Sequence, residues 1–152
     1  MNFRIQAQIT SIDSLFTIAD KIQDEEIQGH FSKYLCIKTS GLLENYFKSQ
    51  IGDYVDSSSP KPTASFVKSK FKTFTNINYD KIYKLFETFS NEWSTTFESQ
   101  MTDDLKSSLN AVISNRNNIA HGNNDSITFR NMKLHYQNLK KILTILDTII
   151  KK

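Results

Sequence analysis

Apolar residues recur along this chain at intervals of three and four, the spacing that places them on one face of an α-helix. A first helix is expected from near Ser11, with Ile12, Leu15, Phe16, Ala19 and Ile22 on one side. A second is expected from about Gln28 to Ile51, through Phe31, Leu35, Leu42, Leu43, Tyr46 and Phe47. The stretch "GDYVDSSSPKPT", residues 52–63, holds both prolines and a serine triplet and reads as a loop. Helices from Thr63 to Phe74 and from Tyr79 to Phe89 follow, carrying Phe66, Val67, Phe71, Ile82, Leu85, Phe86 and Phe89. The pattern in "SNEWSTTFESQM", residues 90–101, fits either an extension of the second of these or a short separate helix.

A further helix begins at Thr102, whose hydroxyl can cap it, with Asp103 and Asp104 in the positively polarised first turn. It should stop at His121, because Gly122 suits the left-handed position that follows a helix end. The last helix has the most regular seam: Phe129, Met132, Tyr136, Leu139, Leu143, Leu146 and Ile150. It reads as the centre of a bundle or as one side of a dimer interface. No strand pattern emerges, so the expected fold class is all-α, a single bundle of five to seven helices over residues 1–152.

Composition narrows the picture. With 38% hydrophobic residues in 152, the chain is long enough for one full core. Only 4 Gly and 2 Pro stand against 11 Phe and 6 Tyr, which disfavours both disorder and a turn-rich β-sandwich. The net charge of +3 would not repel RNA, yet it is far from the basic surplus of a protein that coats nucleic acid. Cys36 is the only cysteine, so an intramolecular disulfide and a cysteine-based zinc site are both ruled out. The start "MNFRIQAQIT" lacks the apolar core of a signal peptide, and no run approaches the ~20 apolar residues of a membrane span. A cytoplasmic protein without a membrane partner is expected.

One helix breaks its own pattern. Leu105, Leu109, Val112 and Ile119 form an apolar stripe, and Arg116 falls near its middle, where the periodicity calls for leucine. A guanidinium there needs an escape route for its stem or an anionic partner. Asn117 and His121, four apart, share a neighbouring face.

The segment "RNNIAHG", residues 116–122, resembles the R-x(4–6)-H signature of the HEPN superfamily, including the polar residue after the arginine and the glycine after the histidine. "CIKTSGLLENYFKSQI", residues 36–51, is similar to the helix of prokaryotic defence and toxin–antitoxin HEPN nucleases that carries a Leu-Glu pair followed by an aromatic. The resemblance implies a HEPN-like helical fold, a two-fold homodimer and metal-independent endoribonuclease activity. By position it implies that Arg116 and His121 are the catalytic pair and that Asn117 and Asn118 are accessory polar residues. Glu44 matches the acidic position more loosely and reads equally as an exposed partner for Lys48 at i+4.

The chemistry is coherent on its own terms. RNA is cut without a metal when its 2′-hydroxyl attacks the adjacent phosphate. That step needs a base, an acid for the leaving 5′-oxygen and a cation for the phosphoryl oxygens. Histidine serves as base or acid near neutral pH, and arginine binds phosphate bidentately. One chain offers one such histidine beside one arginine, so the need for two proton-transfer groups favours a second copy. The expected partners are therefore an RNA (tRNA is one candidate), a second copy of the chain, and a separate antitoxin or regulatory protein. The alternative is a non-catalytic HEPN-like module for dimerisation or partner binding.

Other candidates are weaker. Lys68, Lys70 and Lys72, interleaved with Phe66, Phe71 and Phe74, offer a basic stretch for RNA backbone, with the aromatics read as core. His30 is expected at the opening of the second helix and His135 at the solvent edge of the last. The three histidines share no HxxxH or HxxE spacing, so no metal and no cofactor are expected.

Overall fold

The computed structural model describes residues 1–150 and, among them, contains helices only. These are α1 Phe3–Asp20, α2 Glu25–Ser58, α3 Lys61–Phe71, α4 Tyr79–Phe89, α5 Asn91–Gln100, α6 Asp103–Ala120 and α7 Phe129–Ile150. The all-α bundle is as expected, and seven helices is the upper end of the expected range.

Several boundaries differ from the sequence reading. The first helix starts at Phe3 rather than near Ser11, because the Asn2 side chain accepts the Ile5 N–H and so caps it. Ile5 is buried and Ile9 partly so; they extend the Ile12, Phe16 and Ala19 seam backwards, through polar neighbours that hide it. α2 begins three residues before Gln28, capped by Asp24, which leaves exposed His30 in the second turn instead of at the opening.

The larger correction is at residues 52–63. α2 continues through most of the expected loop, because Ile51, Gly52 and Val55 are buried and Tyr54 packs edge-on against Trp93. A glycine inside a helix costs about 1 kcal/mol, which that burial outweighs. The hydroxyls of Ser57 and Ser58 bond the Tyr54 carbonyl, so the serines are absorbed into the helix. The true break is Ser59–Pro60, where the pre-proline residue is extended. α3 then starts at Lys61 rather than Thr63, tolerating Pro62 in its first turn, and stops at Phe71 rather than Phe74.

The open question at residues 90–101 has a clear answer. Ser90, at φ −166° and ψ 133°, ends α4, and its side chain accepts the Glu92 N–H to begin α5. α5 is a separate helix that buries Trp93 and Phe97.

α7 lies at the centre, packed against α1, α2, α5 and α6. Its seam residues Met132, Tyr136, Leu139, Leu143, Leu146 and Ile150 are buried, as are Ile142 and Ile149 beside them. Of the two readings of that seam, the bundle centre is the one the packing gives. α6 packs against α2, α4 and α7, which sets its C-terminal end beside the loop between α3 and α4.

Candidate active site

The C-terminal end of α6 is closed by hydrogen bonds that the sequence dictates. Gly122 has φ +67°, a conformation that costs glycine little and other residues more. Its N–H reaches the Ile119 carbonyl at 3.3 Å, and the Asn123 N–H reaches that of Asn118 at 2.8 Å. This pair of bonds is the Schellman closure, and it fixes His121 as the last residue of the turn. Beyond it, the buried Asn115 side chain accepts from the Ser126 N–H at 2.9 Å. The Asp125 side chain, 8% exposed, pairs with Lys33 of α2 at 3.2 Å. The segment after His121 is thereby held against the bundle from both sides.

Arg116 is half-buried, as its place in the stripe implies. Its Nη1 donates to Asn117 Oδ1 at 3.2 Å and to Asn76 Oδ1 at 3.3 Å. Both acceptors are neutral amides, and among the described residues Arg116 makes no ion pair. Glu44 also reaches this group: its Oε1 accepts the Asn76 N–H at 3.3 Å. The Glu44–Lys48 pairing is replaced by this bond, because the loop between α3 and α4 presents an N–H to the carboxylate. Glu44, Asn76, Arg116 and Asn117 thus form one connected cluster spanning α2, the loop and α6.

His121 is exposed; its backbone N–H bonds the Asn117 carbonyl at 3.1 Å, so Asn117 touches both Arg116 and His121. No hydrogen bond joins the two side chains directly within one chain. Asn118 is half-buried and contributes its backbone carbonyl to the helix end. Beneath the site, the buried Cys36 thiol donates to the Val112 carbonyl at 3.5 Å. Burial, followed by the Asp125 charge, pushes the thiol up to about 12, with Arg116 opposing. Cys36 is a structural thiol.

The three lysines are exposed but not equivalent. Lys68 is engaged with Asp56 at 2.7 Å, and the Lys70 ammonium lies 5.0 Å from the Phe66 ring centre. Phe66 itself is 62% exposed, against its expected place in the core, because α3 turns Ala64, Val67 and Phe71 toward the bundle. His135 is likewise not at the solvent edge. It is half-buried, with Nδ1 3.1 Å from Ser108 Oγ, and desolvation lowers its pKa from the ordinary 6.5.

Asn76 is the member that sequence reading missed. Its cue is weak: "TNIN" between two helices marks a turn rich in asparagine, with nothing to tie it to Arg116 forty positions later.

A family model described as RiboL-PSP-HEPN matches residues 3–152, almost the whole chain. Neither the curated proteins nor the solved structures provide a match. HEPN domains are often ribonucleases. No helix among the described residues is long and apolar enough to cross a membrane.

Proposed function

The chain belongs to the RiboL-PSP-HEPN family, and from that premise we propose that it is a metal-independent endoribonuclease acting as a homodimer. The ribose 2′-hydroxyl attacks the neighbouring phosphorus, the P–O5′ bond breaks, and a 2′,3′-cyclic phosphate and a 5′-hydroxyl remain. Arg116 stabilises the negative charge on the phosphoryl oxygens. His121 takes the proton from the 2′-hydroxyl, and the protonated imidazolium of the second copy gives one to the leaving 5′-oxygen. Asn117 orients the pair, with Asn118 and Glu44 as support.

The observation that carries this reading is the state of Arg116. Neutral amides anchor it and no carboxylate within ion-pair distance compensates it, so its charge is left for an anionic ligand. The exposure of His121 leaves its ring available to a substrate and to a second copy. The proposed role is a toxin or phage-defence effector on RNA, with tRNA as a candidate substrate, restrained by a separate antitoxin or regulator. Lys70 and Lys72 would hold RNA backbone near the loop, with Lys68 released from Asp56.

A second reading, a non-catalytic module for dimerisation or partner binding, is favoured by one observation: no hydrogen bond joins Arg116 and His121 within one chain.

The test is purified protein on total RNA in EDTA, beside His121→Ala and Arg116→Ala, with the cleaved ends mapped. Cleavage by the wild type alone, leaving cyclic phosphate, supports the proposal. Equal cleavage in all three would sink the site, and a magnesium requirement would sink the mechanism. A wild type that dimerises without cleaving returns the second reading.

A further inference from the structure

We propose that Asn76 is a positioning residue for Arg116: a neutral spacer that anchors the guanidinium while keeping the Glu44 carboxylate from neutralising it. The proposal rests on the reading of Arg116 as the phosphate-binding group and adds to it how that charge is kept available.

Asn76 uses two different groups on two different partners. Its backbone N–H occupies Glu44 Oε1, and its side-chain oxygen accepts from Arg116 Nη1, each at 3.3 Å. The acid and the guanidinium therefore each bond a different group of one residue. Carboxylate and guanidinium that meet directly form a bidentate pair, which would spend the charge that phosphate needs. The interposed peptide and amide prevent that meeting.

The backbone at Asn76 explains why an asparagine fits. At φ +53° it is the only non-glycine residue with positive φ among those described. Asparagine and aspartate tolerate this region far better than other side chains. Aspartate would place a carboxylate on Arg116, and glycine would offer no acceptor. Asparagine meets both demands.

The loop is too well held for the contact to be incidental. Ile77 is fully buried beside it, and Asn78 caps α4 through the Lys81 N–H at 3.0 Å. Asn110 of α6 accepts the Tyr79 N–H at 3.1 Å, and the Lys81 ammonium bonds the Thr75 carbonyl. α6 thus grips this segment twice, once through Asn110 and once through Arg116.

The test uses the full chain carrying Asn76→Gly, Asn76→Asp or Arg116→Ala. Glycine keeps the left-handed backbone and removes only the amide, so its Tm should match the wild type. A first readout needs no RNA: NMR of the Arg116 side chain should show more guanidinium motion in Asn76→Gly, where Asn117 alone holds it, than in the wild type. Identical motion in the two overturns the proposal. In cleavage, Asn76→Gly should lower kcat roughly tenfold with KM little changed, the signature of a group held less well. On a non-cleavable 2′-deoxy oligonucleotide, Asn76→Asp should reduce the slope of log affinity against log salt by about 0.7, as Arg116→Ala does. An unchanged slope in Asn76→Asp with a reduced one in Arg116→Ala also overturns it. If Arg116→Ala cleaves as fast as wild type, the assignment of Arg116 to the site fails, while the NMR still decides for or against the anchoring.

Discussion

Two polar clusters sit on α6 about two turns apart, and they handle polarity in opposite ways. Near its start, Ser108 Oγ accepts from Asn138 Nδ2 at 2.9 Å and lies 3.1 Å from His135 Nδ1, while Lys141 donates to Asn138 Oδ1 at 3.4 Å. Ser108 and Asn138 are buried, and desolvation favours the neutral imidazole. Ser108 and Asn138 are spent on other groups of the chain, and His135 turns one ring nitrogen to Ser108. At the far end, Arg116 is held by amides and His121 projects from the last turn, so charge and imidazole face outward. A buried network that closes on itself specifies packing, whereas one left open at a helix end is where a ligand is expected.

The sharpest way to break this comparison is to exchange the histidines' fates. His121→Ala should slow RNA cleavage by roughly a thousandfold, the scale of a lost acid–base group, while His135→Ala stays within about twofold. Initial rates on one RNA decide it; equal losses would erase the distinction between the clusters.

The next largest effect is on stability. Ser108→Ala leaves the Asn138 amide without its buried acceptor, at a cost of about 2 kcal/mol, with cleavage unchanged. Urea unfolding measures the first and the RNA assay the second. A smaller change is expected from Gly122→Ala, which forces a Cβ into the left-handed region at φ +67° for about 1 kcal/mol. No neighbouring atom lies within 4 Å of that Cβ, so the loss comes from backbone strain alone.

The smallest effect is a slope. The folded-state pKa of His135 lies below the unfolded value near 6.5, so the unfolded chain binds the proton more readily. Its contribution to stability is therefore present above that unfolded pKa and is lost as the pH falls through the folded one. Urea midpoints from about pH 7.5 to about pH 4.5 should decline less steeply in His135→Gln than in the wild type.

The sequence by itself determined most of the helical stretches, because the three–four spacing of apolar residues is local and survives in α6 and α7 almost residue for residue. It also marked Arg116, by placing a guanidinium inside an apolar stripe, and the turn at Gly122. Only the tertiary structure decided that α2 runs on through Ser58, since what outweighs Gly52 and the serines is burial against Trp93 on another helix. The partners of the polar groups were decided the same way. Glu44 and Asn76 stand 32 positions apart, and Asn76 and Arg116 stand 40 apart. Periodicity reports which face of a helix is turned inward. Which distant donor meets which acceptor follows only when the packed helices bring them within bonding distance.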